Sequence, residues 1–426
     1  MRDGARQQAA IEILSTLETQ RRPAANAVKE WMLSHRFAGS KDRAGIGDLV
    51  FGALRWRQSS AWRMNNDNPR AWVWGALRWG FGQSAEWIEQ SLVDDPHAPS
   101  APTDAERSAL ANATLDGAPA YVRGDYPEWL DGNFARAFGD ARGEEGAALA
   151  GPAPLDLRTN TLKTTREKLI AALSESPKLK EAPLATPYAP DGVRIPWAQG
   201  RNFPWSTEQS FLKGWFEVQD EGSQLAALMC GVKPGMQAAD VCAGGGGKTL
   251  ALAATMENKG QIFAHDFDGR RLAPLRERLE RAGARNVQIR APQRTKDVLA
   301  DLKGRMDVVL VDAPCTGSGT WRRSPDSKWR LRPNALAKRL EEQRQALALA
   351  APLVKRGGRL VYVTCSVLPE ENEDQVAAFL ASYHGFAAVG LNGPNAPSYQ
   401  RELAVQMTPL LTGCDGFFVA ALERCA

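Results

Sequence analysis

The stretch QAADVCAGGGGKT, residues 237–249, decides the fold class of this chain. Its first residues predict a short strand, its four glycines predict a tight loop, and Lys248 and Thr249 begin a predicted helix. A strand that leads through glycines into a helix N-terminus lets a ligand approach the backbone closely. The stretch therefore predicts the first strand, loop and helix of a ligand-binding α/β domain.

Strands and helices continue to alternate on the C-terminal side of this loop. The segments that predict strands are QIFAHD (261–266), NVQIR (286–290), DVVLVDAP (307–314), GRLVYVTC (358–365) and DGFFVAAL (415–422). Strands that alternate with helices at this spacing are typical of a parallel, doubly wound sheet. We therefore expect a Rossmann-like α/β domain over residues 214–426.

Two smaller domains are expected before residue 214. Residues 1–145 carry apolar positions at helical spacing and many tryptophans, which predicts an all-α domain with an aromatic core. The Gly- and Ala-rich stretch GDARGEEGAALAGPAP (139–154) predicts a boundary. The pattern of PLDLRTNTLKTTREKLIAAL (154–173) then predicts a strand, a turn and a helix, and so a small α+β subdomain over residues 146–213.

Composition and charge exclude several classes of protein. The 426 residues are 43% hydrophobic and 24% charged, which argues against a mainly disordered chain. No run of about 18 apolar residues is present and the N-terminus lacks a secretory pattern, so we expect a cytoplasmic protein without a membrane span. The six cysteines form no CxxC pair and the four histidines are scattered, so neither a disulfide framework nor a metal site is expected. The net charge of +4 does not indicate nucleic-acid binding by itself.

The glycine loop is compatible with three kinds of cofactor. Its tail GKT (247–249) resembles a nucleotide P-loop, but a P-loop needs a glycine where this chain has Cys242. A dinucleotide fingerprint fits Gly244 and Gly246 but meets a threonine at its third glycine. S-adenosylmethionine is the third candidate, because Asp266 ends the next predicted strand at a distance suited to accepting ribose hydroxyls. The loop alone does not choose among them.

Two cysteines at the ends of two predicted strands favour S-adenosylmethionine. Cys315 comes three residues after Asp312, and Cys365 comes directly after Thr364. Because ligands of open α/β sheets bind beyond the carboxyl ends of the strands, we expect both thiols at one crevice. A thiolate of lowered pKa can add to carbon 6 of cytosine, which makes carbon 5 reactive enough to attack a methyl donor. The pair therefore indicates methylation of a cytosine.

Several segments together resemble the motifs of the Nop2/Sun (RsmB-type) RNA cytosine-5 methyltransferase family. They are DVCAGGGGKT (240–249), DAPCTGSGTWRRSPDSKWR (312–330), TCSVLPEENE (364–373), FEVQDEGSQLAA (216–227) and DGFFVAAL (415–422). The resemblance implies that Cys365 is the nucleophile and that Cys315 assists release of the methylated product. It also implies that Asp312 contacts the base edge and helps to protonate the ring, with Lys248 nearby.

The resemblance extends less sharply to the N-terminal half. HRFAGSKDRAGIGDLVFGALRWR (35–57) is similar to the NusB-like helical domain of bacterial members, which implies RNA binding by residues 1–145. LRTNTLKTT (157–165) resembles the start of the family's RRM-like subdomain.

The cofactor implied by the resemblance is S-adenosylmethionine, with its methionine part across the glycine loop. Two departures from the family pattern concern this site: Gly245 replaces the usual proline, and the third strand ends without an acid, where Gln293 can accept a hydrogen bond instead. The expected cofactor-binding residues are Cys242, Ala243, Gly244, Gly245, Gly246, Gly247, Lys248, Asp266, Arg271, Gln293 and Asp312.

The segment TWRRSPDSKWRLR, residues 320–332, predicts an RNA-binding loop. It alternates cations with tryptophans, which suits binding of phosphates and stacking of bases. The expected RNA contacts are Arg322, Arg323, Lys328 and Trp329, with a second basic surface at Arg36, Lys41, Arg43 and Arg55. Ribosomal RNA is the expected partner and transfer RNA the alternative, and the target cytosine has to be unpaired or flipped out.

Two rival functions stay open at this point. A non-catalytic RNA-binding or ribosome-assembly protein that keeps the fold is compatible with the departures at Gly245 and Gln293. A methyltransferase with a protein or DNA acceptor is compatible with the fold, although the presence of both cysteines points to RNA. The sequence indicates neither a protein partner nor an oligomeric state.

Overall fold

The computed structural model describes residues 1–20, 22–391, 398–401 and 404–425. Contacts between Cα atoms divide the chain into two compact units, Met1–Gly151 with Trp321–Leu331, and Pro152–Thr320 with Arg332–Ala426. The predicted boundary near residue 145 therefore lies close to the observed one. Residues 321–331 were expected in the catalytic domain, but the structure places them in the helical unit.

The first unit is all-α, as the apolar spacing predicted. Its core packs Ile13, Ile46, Trp72 and Trp74, and the indole N–H of Trp74 donates to the buried Gln7. Its helices are α1 (Asp3–Gln20), α2 (Ala24–Ser34), α3 (Ser40–Arg55), α4 (Arg57–Met64), α5 (Pro69–Gly75), α6 (Ala85–Gln90), α7 (Asp104–Asn112), α8 (Ala120–Arg123), α9 (Asp131–Phe138) and α10 (Arg142–Ala150), with a π-helix over Ala76–Gly80.

The inserted segment 321–331 joins this helical unit through its aromatic residues. Trp321 is buried and stacks on Phe134 with ring centroids 5.8 Å apart. The indole N–H of Trp329 donates to the Leu54 carbonyl at 2.6 Å. Burial of two large rings explains why the segment packs with the helices, since such rings contribute much of the apolar area in a core.

The second unit begins with a small antiparallel sheet. Its strands are β1 (Leu155–Thr159), β2 (Leu184–Ala185), β3 (Gly192–Ile195) and β4 (Phe216–Val218), in the order β2-β3-β1-β4. Its helices are α11 (Arg166–Ser174), α12 (Trp197–Gly200) and α13 (Gln209–Leu212). Leu157 and Phe216 of the sheet form a core with Leu169 of α11. This is the α+β arrangement expected for the region, and its last strand ends at Val218, beyond the predicted boundary at 213.

The larger sheet confirms the predicted fold class. Its elements are α14 (Glu221–Leu228), β5 (Gln237–Asp240), α15 (Gly247–Thr255), β6 (Gln261–Ala264), α16 (Leu275–Ala282), β7 (Val287–Ile289), β8 (Met306–Asp312), α17 (Pro325–Arg330, within the helical unit), α18 (Pro333–Ala350), β9 (Val354–Thr364), α19 (Glu373–Ser382), β10 (Phe386–Val389), β11 (Tyr399–Arg401), β12 (Ala404–Met407), α20 (Pro409–Thr412) and β13 (Phe417–Arg424). Strands β9, β8, β5, β6 and β7 are parallel neighbours in that order. Strand β13, predicted from DGFFVAAL, pairs antiparallel with β9 and begins an added edge that also contains β12, β11 and β10.

Candidate active site

The carboxyl ends of β8 and β9 bring the two cysteines together. The strands are parallel neighbours with Asp312 in register with Val363, so the residues that follow them meet at one edge. The Sγ atoms of Cys315 and Cys365 lie 3.4 Å apart. The hydrogen bond to Cys365, together with burial, holds the pKa of Cys315 well above its usual range. Cys315 therefore stays protonated in this contact.

An ion pair between a buried lysine and a partly exposed aspartate lies near these thiols. The Lys248 ammonium lies 2.8 Å from a carboxylate oxygen of Asp312 and 5.0 Å from the ring centre of Phe417. Burial alone acts to lower the pKa of Lys248, but Asp312, and to a smaller extent Cys365, outweigh it and raise the pKa. Lys248 consequently carries a fixed positive charge at the thiol pair.

Two glycines allow the loop between β5 and α15 to turn tightly. Gly244 and Gly246 have φ values of 51° and 84°, in the left-handed region that other residues rarely adopt. A Cβ on Gly246 would also lie 2.1 Å from Cδ1 of Leu275. The Gly244 N–H donates to Asp266 at 2.9 Å, which ties the loop to the end of β6.

Gly245, the departure from the family's proline, is held from outside the loop. The Arg278 guanidinium donates to the Gly245 carbonyl at 2.6 Å and also pairs with Glu217 at 2.8 Å. A glycine in place of a proline lacks the fixed φ that the proline ring would impose. The structure shows a side chain that restrains the same residue through its carbonyl.

The remaining predicted cofactor residues fall into two groups. Asp266 is buried at the end of β6 and pairs with the half-exposed Arg271 at 3.1 Å, so both lie at the glycine loop. The Cys242 side chain instead lies in the hydrophobic core, and burial raises its pKa. The Ala243 N–H donates to the carbonyl before Asp266, and Gln293 is exposed on the turn after β7. A cofactor role of Cys242 is thus limited to its backbone.

The structure contradicts RNA contact by Arg322 and Lys328. Both are buried, and the Lys328 ammonium donates to the carbonyls of Arg55 and Asp125 at 2.8 and 2.5 Å. Burial lowers the pKa of Lys328 to about 7, against the opposing effect of Asp125. The indole N–H of Trp329 also donates to a carbonyl of the helical unit, so these side chains stabilise the packing of that unit. Arg323 is exposed, and its contact with RNA stays a prediction.

Two buried residues next to the cysteine pair were not predicted from the sequence. Glu371 and Asn372 are fully buried between β9 and α19. Glu371 accepts hydrogen bonds from the backbone N–H and the hydroxyl of Thr316, at 2.8 and 2.5 Å. Burial raises the pKa of Glu371. The run PEENE, which follows the cysteine motif, was the sequence feature that could have indicated them. Its pattern does not show which of its acids are buried.

Comparisons with known proteins agree with this geometry. The family described as 16S rRNA methyltransferase RsmB/F matches residues 228–423, and its ferredoxin-like domain matches residues 126–199. The ribosomal RNA small subunit methyltransferase B of Salmonella newport is 30% identical over 406 residues, which cover 90% of this chain and 91% of that protein. The chain belongs to the RsmB/F methyltransferase family. The predicted resemblance is confirmed.

Other RsmB/F relatives and solved structures support the assignment. The probable ribosomal RNA small subunit methyltransferase B of Synechocystis sp. is 34% identical over 70% of this chain and 67% of its own length. The crystal structure of PH0851 is 25% identical with a TM-score of 0.72, covering 100% of this chain and 99% of that one. A methyltransferase homolog from Pyrococcus horikoshii is 27% identical with a TM-score of 0.59, covering 72% and 97%.

The residues that the structure describes contain neither a membrane-spanning helix nor a cluster of metal ligands. None of their helices is long and apolar enough to cross a membrane. None of their His, Cys, Asp and Glu side chains form a group of three or more that could hold a metal ion.

Proposed function

We propose that this protein methylates carbon 5 of a cytosine in ribosomal RNA, with S-adenosylmethionine as methyl donor. The observation that carries the proposal is the 3.4 Å contact between Cys315 and Cys365 at the carboxyl edge of the sheet. The names of the curated relatives support ribosomal RNA of the small subunit as the substrate class. Two adjacent thiols support cytosine as the acceptor, because its carbon 5 needs covalent activation.

The two thiols have separate tasks in this proposal. Sγ of Cys365 forms a bond to carbon 6 of the cytosine, and the ring then carries an enamine whose carbon 5 is nucleophilic. After methylation, carbon 5 loses its proton to solvent, the double bond between carbons 5 and 6 re-forms, and the bond to Cys365 breaks so that Sγ leaves as a thiolate. Cys315 assists this release, since its raised pKa keeps it protonated beside the leaving thiolate.

Lys248 and Asp312 provide the charges for the addition step. A cation near a thiol favours the thiolate form, and protonated Lys248 is the cation at this position. The Asp312 carboxylate is 34% exposed, so it is accessible to a base that enters the crevice. Asp312 contacts the base edge, where its carboxylate stabilises the proton that the ring takes up from solvent during attack by Cys365.

The residues at the glycine loop fit S-adenosylmethionine. The loop leads into the N-terminus of α15, and a Cβ on Gly247 would meet open space, so the backbone is accessible there. Asp266, a buried carboxylate at the end of β6, has acceptor oxygens for ribose hydroxyls. The cofactor supplies the methyl group when bound, and Gly244 and Asp266 orient it.

Nucleoside analysis tests the proposal directly. The protein is incubated with unmethylated 16S ribosomal RNA and S-adenosylmethionine labelled in its methyl group, and the RNA is digested to nucleosides. We expect label in 5-methylcytidine, loss of label with Cys365→Ala, and unchanged label with the control Cys425→Ala, an exposed cysteine near the C-terminus. Label in another nucleoside would contradict the cytosine assignment. RNA binding without cofactor binding by calorimetry would indicate the non-catalytic rival.

A further inference from the structure

The short turn Pro369–Glu371 and the following residue hold both cysteine loops at once. Glu371 and Asn372 are consecutive and fully buried. The Glu371 carboxylate is bonded mainly to the loop that follows β8 and also to Ser366 after β9, whereas the Asn372 amide is bonded to the loop that follows β9. One turn is thus hydrogen-bonded to both loops that carry the thiols.

Glu371 acts on the loop that carries Cys315. It accepts two hydrogen bonds from Thr316, the residue after the cysteine. The amide of Gln343 on α18 donates to the Pro314 carbonyl and to Glu371, both at 3.0 Å. Both neighbours of Cys315 in the chain are therefore fixed by buried side chains.

Asn372 acts in the same way on Cys365. Its amide nitrogen donates to the Ser366 carbonyl at 3.0 Å, and its amide oxygen accepts from the Thr364 hydroxyl at 2.6 Å. The same nitrogen donates to Gln406 on β12 at 2.9 Å, which fixes the amide orientation. The residues on both sides of Cys365 are thus bonded to one side chain.

We propose that Glu371 and Asn372 are positioning residues, with Glu371 holding mainly the loop of Cys315 and Asn372 the loop of Cys365. The inference rests on the proposed roles of the two cysteines. Buried hydrogen bonds of this kind fix a reacting group to a fraction of an ångström, and a misplacement of about 1 Å can cost about a hundredfold in rate. Loss of each residue should therefore impair the step of the thiol that it holds.

The two alanine variants are predicted to have opposite effects on the covalent protein–RNA adduct. Glu371→Ala impairs release by Cys315, so we expect adduct to accumulate at least about threefold over wild type on a denaturing gel. Asn372→Ala impairs addition by Cys365, so we expect adduct to form about tenfold more slowly. In both variants kcat for methylation falls while KM for RNA and the Kd for S-adenosylmethionine stay the same, which a general loss of structure would not produce.

Matched variants separate positioning from folding. Glu371→Gln keeps an oxygen for the Thr316 N–H and should restore most of the rate. Gln343→Ala should shift adduct as Glu371→Ala does, whereas Gln345→Ala, an exposed position on the same helix, should not. If the alanine variants do not fold, Thr316→Val removes the hydroxyl that donates to Glu371, and Thr364→Val removes the hydroxyl that donates to Asn372 and accepts from the Ser366 N–H.

The outcomes distinguish this inference from the function on which it rests. Equal loss of adduct in Glu371→Ala and Asn372→Ala, or no change in either, overturns the inference while Cys365→Ala still abolishes methylation. Retained methylation in Cys365→Ala overturns the proposed function itself.

Discussion

The Sγ atoms of Cys315 and Cys365 lie 3.4 Å apart although 50 residues separate them along the chain. The contact follows from topology, since β8 and β9 are parallel neighbours and each cysteine follows the carboxyl end of its strand. The proton on Cys315 is stabilised by this contact and by burial. The two thiols therefore lie close enough to act on the same atom of a bound base.

Removal of the fixed charge at the thiol pair should slow the reaction. Lys248→Met deletes the partner of Asp312 and the cation near Cys365. We expect single-turnover methyl transfer to fall at least about tenfold, which corresponds to about 1.4 kcal/mol in the barrier. Lys259→Met, an exposed lysine, is the control and should leave the rate unchanged. Equal rates in both variants would show that Lys248 has no part in the chemistry.

Gly246 should tolerate no side chain. Gly246→Ala places a Cβ at a φ of 84° and 2.1 Å from Leu275, so we expect a loss of about 1–3 kcal/mol in the free energy of unfolding. The control is Gly247→Ala, whose Cβ meets open space and whose residue starts α15. Urea unfolding of the two variants measures the difference. Equal stability would argue against the observed loop conformation.

The buried carboxylate of Asp240 predicts a dependence of stability on pH. Burial raises its pKa from 3.8 to about 7, so the folded chain holds one proton more than the unfolded chain between these values. The contribution of Asp240 to the free energy of unfolding therefore falls as pH rises through this window. Asp240→Asn removes this dependence, so its stability relative to wild type should increase from about pH 4 to 7.

The size of this effect is bounded by the shift in pKa. At about 1.4 kcal/mol for each pKa unit, the gain of Asp240→Asn is at most about 4 kcal/mol. Denaturant unfolding at three pH values gives the profile, and Asp301→Asn, at an exposed carboxylate, serves as the control. Parallel profiles for Asp240→Asn and wild type would contradict the raised pKa.

Lys328 should matter for stability and not for RNA affinity. Lys328→Met leaves two carbonyls and the buried Asp125 without their cation, so we expect a loss of about 2–4 kcal/mol in the stability of the helical unit. The salt dependence of RNA binding should stay the same, because each lost phosphate contact would lower its slope by about 1. Lys29→Met, an exposed lysine of the same unit, is the comparison. A lower salt slope in Lys328→Met alone would restore the RNA contact inferred from the sequence.

The sequence predicted those features that depend on local pattern. The positions of Gly246 and Cys365 follow from local sequence. The glycines lie between a strand and a helix, each cysteine lies within three residues of the end of a strand, and parallel strands present their carboxyl ends at one edge. The antiparallel edge strands were harder to predict, since a short apolar run such as that of β13 has the same pattern in either direction.

Features that depend on burial were not predictable from pattern. Cations alternating with tryptophans around Lys328 suit an RNA-binding loop and a packed segment equally well, and only the partners of the ammonium decide between them. The burial of Glu371 was likewise not predictable, because the same motif contains other acids and the hydrogen-bond partner Thr316 lies on a separate loop. Arg278 lies 33 residues from Gly245 in sequence, so its contact with the loop has no local signal.

The central claim is that Cys365 bonds to the target base and that Cys315 releases it. The most direct measurement is a denaturing gel of Cys315→Ala protein incubated with S-adenosylmethionine and unmethylated ribosomal RNA, beside the double variant Cys315→Ala, Cys365→Ala. The account predicts a shifted protein–RNA band in the single variant that disappears in the double variant. A band that persists without Cys365, or its absence from the single variant although that variant binds both RNA and cofactor, would contradict the account.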